Sequence, residues 1–141
     1  MVFLFPMALT GLAAVIDLRT REIPNTIPSL LLATGLVAVW LGWLPITMTQ
    51  SLEGAGLALL VGLPLFWIGA WGGGDIKLLV GLGAWLGPEG AAGVLIWTAI
   101  FGVALALVSK WRKQETFALA PAIAAAATLR FVLPLAIKLV R

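Results

Sequence analysis

Residues 59–87 read LLVGLPLFWIGAWGGGDIKLLVGLGAWLG. Three glycines, an aspartate and a lysine interrupt a stretch that is otherwise apolar, and the fold turns on what that interruption means. Of 141 residues, 62% are hydrophobic and 11% charged, with a mean hydropathy of +1.11. No soluble core needs so little polar cover, so the solvent is lipid. A carboxylate is costly in that setting unless something requires it.

Outward from this stretch, apolar runs fall at residues 2–17, 27–44, 52–71, 76–87, 90–109 and 117–138. Several approach the length a helix needs to cross a bilayer. The expectation is an all-α, polytopic membrane protein of about six transmembrane helices, forming one domain over residues 1–141. The fourth run is short: between Asp75 and Pro88 it yields a helix of about 18 Å, against a hydrocarbon core of about 30 Å. Either one end of helix 4 lies below the membrane surface, or Trp71 and the glycines also lie at membrane depth. The first run has its basic residues after the apolar segment, not before it, so it reads as a retained helix and not a secretory signal.

The loops orient the chain. Connections after the first, third and fifth helices carry Arg19, Arg21, Lys77, Lys110, Arg112 and Lys113, opposed by Lys138 and Arg141 at the C-terminus. By the positive-inside rule the first set is cytoplasmic and both termini lie outside. Trp40, Trp43 and Trp85 fall near the outer helix ends and Trp67, Trp71 and Trp111 near the inner ones, as interfacial belts do. The net charge of +3 is thus accounted for by topology and lipid headgroups, with Lys77 and the 110–113 loop facing them, and nucleic acid is not an expected partner. Glycines at 54, 56, 62, 81, 83 and 87 read as close helix packing.

The chain has neither Cys nor His, which excludes cysteine nucleophiles, His-based triads and the usual transition-metal sites. No metal and no cofactor are expected. Glu53, Glu89 and Glu115 fall in loops, where a solvated charge needs no further reason. Asp17, in AVIDLRTREIPN, reads equally well as a helix-end residue paired with Arg21 four positions on. There Pro24 and Asn25 mark a helix stop and the start of the next helix. Asp75 alone reads as a helix N-cap, but a cap does not call for Gly72, Gly73 and Gly74 before it; these permit a tight turn or the close approach of another backbone.

Together the two aspartates are more informative than apart. Both fall on the same side of the predicted topology, at the ends of two helices. Carboxylates sharing one site cannot both ionise easily, which provides a base to activate water and an acid to protonate a leaving group. The negative end of helix 1 favours the proton on Asp17, and the positive end of helix 4 favours the carboxylate of Asp75, which would make Asp75 the initial base.

The pair DLRTREIPN (17–25) and GGGDIKLLVGLGAWLG (72–87) resembles the type IV prepilin peptidases, membrane aspartic proteases named for a GxGD motif, here Gly72-Gly73-Gly74-Asp75. The similarity runs through nearly the whole chain. It implies that Asp17 and Asp75 are catalytic, and that Gly72, Gly73, Gly74, Lys77, Pro24 and Asn25 shape the motif and the approach of substrate. It also implies an endopeptidase that removes the short basic leader from a type IV prepilin, pseudopilin or preflagellin-like precursor at the cytoplasmic face. FALAPAIAAAATL (117–129) is similar to the start of the family's last helix, although a Pro usual there is absent. Without Cys, and beginning directly in helix 1, the chain looks like the short, peptidase-only form of the Tad/Flp-type and archaeal preflagellin enzymes, for which no methyltransferase activity is expected. An ion-coupled transporter is the alternative, since it too would use intramembrane Asp and glycine-broken helices, with its acids near the midplane.

Overall fold

The computed structural model describes residues 2–111 and 120–140, with side chains over 2–104 and 120–130. Five helices follow one another: α1 (Leu4–Thr20), α2 (Thr26–Trp40), α3 (Met48–Trp67), α4 (Gly73–Trp111) and α5 (Ala120–Val140). No strand occurs among the described residues. The all-α expectation holds, and the six anticipated crossings appear as five elements. The difference lies in α4, where the fourth and fifth apolar runs are joined through Gly87, whose φ of 67° and ψ of −175° break the helix ahead of Pro88. A straight helix of that length would span about 58 Å. Burial of Ala91, Val94, Leu95 and Thr98 instead requires the second half to pack on the other helices. The first half, Gly73 to Leu86, is only about 21 Å long.

Local sequence explains the boundaries. Thr47 and Gln50 start α3 with a reciprocal capping box, their backbone N–H groups donating to each other's side chains at 2.9 and 3.2 Å. At the other end Gly69, at φ 73°, lets Gly69 and Ala70 donate back to the carbonyls of Phe66 and Leu65 at 2.9 and 2.8 Å. This is a Schellman stop, and it turns the chain toward α4. α1 ends at Arg21, a left-handed residue at φ 56° whose N–H donates to the Asp17 carbonyl at 2.8 Å. The stop thus comes three residues before Pro24.

The first half of α4 is the centre of the packing, with Leu78, Leu79, Leu82 and Ala84 buried against α2 and α3. Gly54 of α3 and Gly83 of α4 bring their backbones together so closely that a Cβ on either would overlap the other's main chain. Gly62 is roofed by Ile76 and Gly81 by Leu31, so the packing reading of these glycines holds; Gly56 has no neighbour that requires it. Ser51 donates to the Ala84 carbonyl at 2.6 Å. Trp85 is not an interfacial anchor: it is 3% exposed, lies over Gly35, and its indole N–H donates to the Leu31 carbonyl at 2.8 Å. An internal carbonyl takes the proton that a belt tryptophan would offer to headgroups. Trp40 and Trp67 stand 77% exposed at their helix ends, and Trp97 is stacked on Phe101 at 5.8 Å.

Leu4, Leu18, Leu60 and Ile68 are among many large apolar side chains on the outer surface, an arrangement that suits a lipid solvent. Met48–Trp67 and Gly73–Ala104 are long and apolar enough to cross a membrane. The side chains of Lys110, Trp111 and Lys138, and all of Arg112, Lys113, Glu115, residues 117–119 and Arg141, lie outside the described residues.

Candidate active site

Asp75 is not the N-cap of α4. Gly72 fills that position, since its carbonyl accepts the first helical N–H, from Ile76 at 3.3 Å. Asp75 is the third residue of the helix, and its Oδ2 reaches back to accept the Gly72 N–H at 3.1 Å, the acidic half of a capping box. Its Oδ1 is buried with no partner. A buried carboxylate oxygen left unsatisfied is expensive in a purely structural residue, so it marks a place where the chain tolerates a cost.

The glycines before it have separate reasons. None of the three adopts a positive φ, so a left-handed turn is not why they are there. A Cβ at Gly72 would press on Asp75 Oδ2 at 2.9 Å, and one at Gly74 would meet the Ile23 side chain at 3.1 Å. Gly73 is less confined, with only a Phe66 ring carbon at 3.6 Å. Two of the three glycines therefore accommodate the protein's own residues.

Asp17 lies one turn before the end of α1 and is 7% exposed. Its Oδ2 accepts the backbone N–H of Ala120, at the start of α5, at 3.1 Å. The helix-end contrast expected between the two aspartates is thereby reduced: α1 presents Asp17 with its disfavoured end, and α5 compensates with a donor.

Asp17 and Asp75 line one cavity of ≈ 290 Å³, together with Gly72, Gly73, Gly74 and, from the α1–α2 connection, Arg21, Glu22, Ile23 and Asn25. The two carboxyl groups also interact electrostatically. Asn25 occupies the N-cap position of α2 without capping it; its Oδ1 accepts from Lys77 Nζ at 2.8 Å, fastening the connection to α4. Pro24 and Lys77 do not line the cavity. The Pro24 carbonyl accepts the Ile27 N–H at 3.2 Å. Motif reasoning passes over Glu22 and Ile23, although both lie inside the quoted DLRTREIPN stretch, and over Ala120, whose contribution is a main-chain group.

What the cavity offers is two acidic groups that interact electrostatically in a polar opening. The model of the type IV leader peptidase family matches residues 3–107 of the chain. Two Burkholderia pseudomallei proteins, from strains 1026b and K96243, each named a prepilin leader peptidase/N-methyltransferase, are 34% identical over 145 residues, covering 90% of this chain and 45% of theirs. An Escherichia coli O78:H11 protein named a type 4 prepilin-like proteins leader peptide-processing enzyme is 30% identical over 105 residues, covering 70% of this chain and 39% of its own. The chain thus spans less than half the length of these relatives. No solved structure gives a significant match. The family match covers both aspartates and Gly72, Gly73 and Gly74, and on that breadth the chain belongs to the type IV leader peptidase family.

Proposed function

We propose that the protein is a membrane aspartic endopeptidase that removes the short basic leader from a type IV prepilin, pseudopilin or preflagellin-like precursor. The observation that carries this reading is the shared cavity of Asp17 and Asp75. Family membership and the relatives' names supply the substrate class. The Burkholderia relatives are named for methylation as well, and only the hydrolytic activity is proposed for this chain.

In the proposed reaction the pair holds one proton between its two carboxyl groups, because like charges at one site disfavour the doubly ionised state. The ionised carboxylate takes a proton from water, and the resulting oxygen attacks the scissile carbonyl carbon. Collapse of the tetrahedral intermediate breaks the C–N bond, and the protonated partner delivers its proton to the departing nitrogen. The proton taken from water stays with the pair, which is thus reset. Which aspartate acts first is left to the pH profile, since Ala120 offsets the helix-end argument.

Six crossings of a single domain, with the halves of α4 as the fourth and fifth, would place the cavity at the cytoplasmic edge of the inner membrane and the N-terminus outside. The basic residues at 19, 21 and 77 support that orientation. A carrier would need its acids near the midplane with access from both faces. Asp17 and Asp75 instead sit at helix ends, which favours hydrolysis over transport. The test is cleavage of a purified type IV prepilin by the full chain in proteoliposomes, with the product mass identifying the scissile bond. The reading requires activity with a two-limbed pH dependence and indifference to chelators; an intact substrate, or cleavage that a chelator stops, contradicts it.

A further inference from the structure

Asp75 and Asp17 obtain their backbone donors from very different places. The Gly72 N–H that serves Asp75 belongs to the cap of its own helix. The N–H that serves Asp17 comes from Ala120, 103 positions away, in a fully buried contact. α5 is held there by apolar packing: Ala120, Ile123, Ala126 and Ala127 join one buried cluster with Ala13 and Ala14 of α1. α1 in turn packs far more extensively on α5 than on α4. The carboxylate of Asp17 is therefore oriented by the helix to which α1 is clamped, while its reaction partner belongs to a helix that α1 barely touches.

We propose that the first turn of α5 is a positioning element for the reaction, the Ala120 N–H fixing the plane of the Asp17 carboxylate by holding Oδ2. This rests on the reading of Asp17 as catalytic. N–H groups in the first turn of a helix have no acceptor within the helix, so one is available at no cost to α5. A charged acceptor makes that bond among the stronger ones a backbone can offer. The interaction needs no particular side chain at position 120, only a small one, because Ala120 has no exposed surface.

An amide-to-ester exchange tests this, with Ala120 of the full-length chain replaced by lactic acid so that the N–H alone is lost. In proteoliposomes with a prepilin substrate, kcat is expected to fall roughly 10- to 100-fold with KM within about twofold, as befits a misaligned catalytic group. The limb of the pH profile that moves is the one that Asp17→Glu also moves, and the other limb stays in place. The same exchange at Ala126, inside α5, controls for the loss of a main-chain bond and is expected to leave kcat within about threefold. A measurement independent of the ester variant is amide hydrogen exchange at Ala120, expected to quicken at least about tenfold in Asp17→Ala. If the Ala120 ester is as active as the Ala126 ester, or exchange at Ala120 ignores Asp17→Ala, the positioning role is refuted. Asp17→Asn separates the two levels. Full activity in that variant overturns the catalytic reading itself, whereas an inactive Asp17→Asn beside a fully active Ala120 ester overturns the positioning role alone.

Discussion

At its Trp85 end, the first half of α4 meets its neighbours backbone to backbone: Gly83 against Gly54, the Ala84 carbonyl accepting from Ser51, and the Trp85 indole bonded to Leu31 over Gly35. At its Asp75 end, about 15 Å away, the same helix opens onto a cavity of ≈ 290 Å³, with an unpartnered carboxylate oxygen and a connection resting on Gly74. One end is closed by these contacts, and the other keeps acidic groups and space in reserve. Stability and activity should accordingly separate along the helix, with substitutions at the closed end lowering the first and those at the open end lowering the second.

The largest effect belongs to the closed end. Gly83→Val or Gly54→Val would drive a side chain into main chain that has no rotamer to yield, at a cost upward of about 4 kcal/mol. The expected outcome is loss of the monodisperse folded protein in detergent; a well-folded Gly83→Val would break the contrast outright. At the open end, Gly74→Val pushes on Ile23 and should lower leader cleavage by about 100-fold, through displacement of the α1–α2 connection, while the melting temperature changes little. Partial recovery in Gly74→Val/Ile23→Ala would show that the loss arises from that contact. Trp85→Phe removes the indole donor and part of the fill over Gly35, costing about 1–3 kcal/mol in thermal stability with cleavage nearly unchanged. The smallest effect is at the Asn25–Lys77 bond, an exposed contact worth less than about 1 kcal/mol. Asn25→Ala and Lys77→Ala should be equivalent and should not add in the double variant.

The same division governs what can be read from sequence. Carboxylates are costly in an apolar chain, so Asp17 and Asp75 draw notice as a pair although each alone also reads as a helix-end residue, and the glycines announce close approach. Their neighbours cannot be read that way: Gly74 makes room for Ile23 and Gly72 for Asp75, where an incoming backbone is the natural first thought. Trp85 misleads because an aromatic near a helix end looks like an interfacial anchor until the Leu31 carbonyl is seen beneath it. The break that the sequence marks between residues 87 and 90 is present, but Gly87 makes it with a single residue and no loop, so the fourth and fifth runs form one bent element. Ala120 could not be found at all, since its contribution is a main-chain N–H that any residue but proline carries.

The central claim is that chemistry resides in the two aspartates of the open end, and single-turnover cleavage of a prepilin by Asp17→Asn, Asp75→Asn and the double variant tests it most directly. The account predicts that each single variant falls by at least about 1000-fold, that the double is no worse than either, and that all three melt in detergent near the parent temperature. Cleavage at the parent rate by either folded single variant would contradict it.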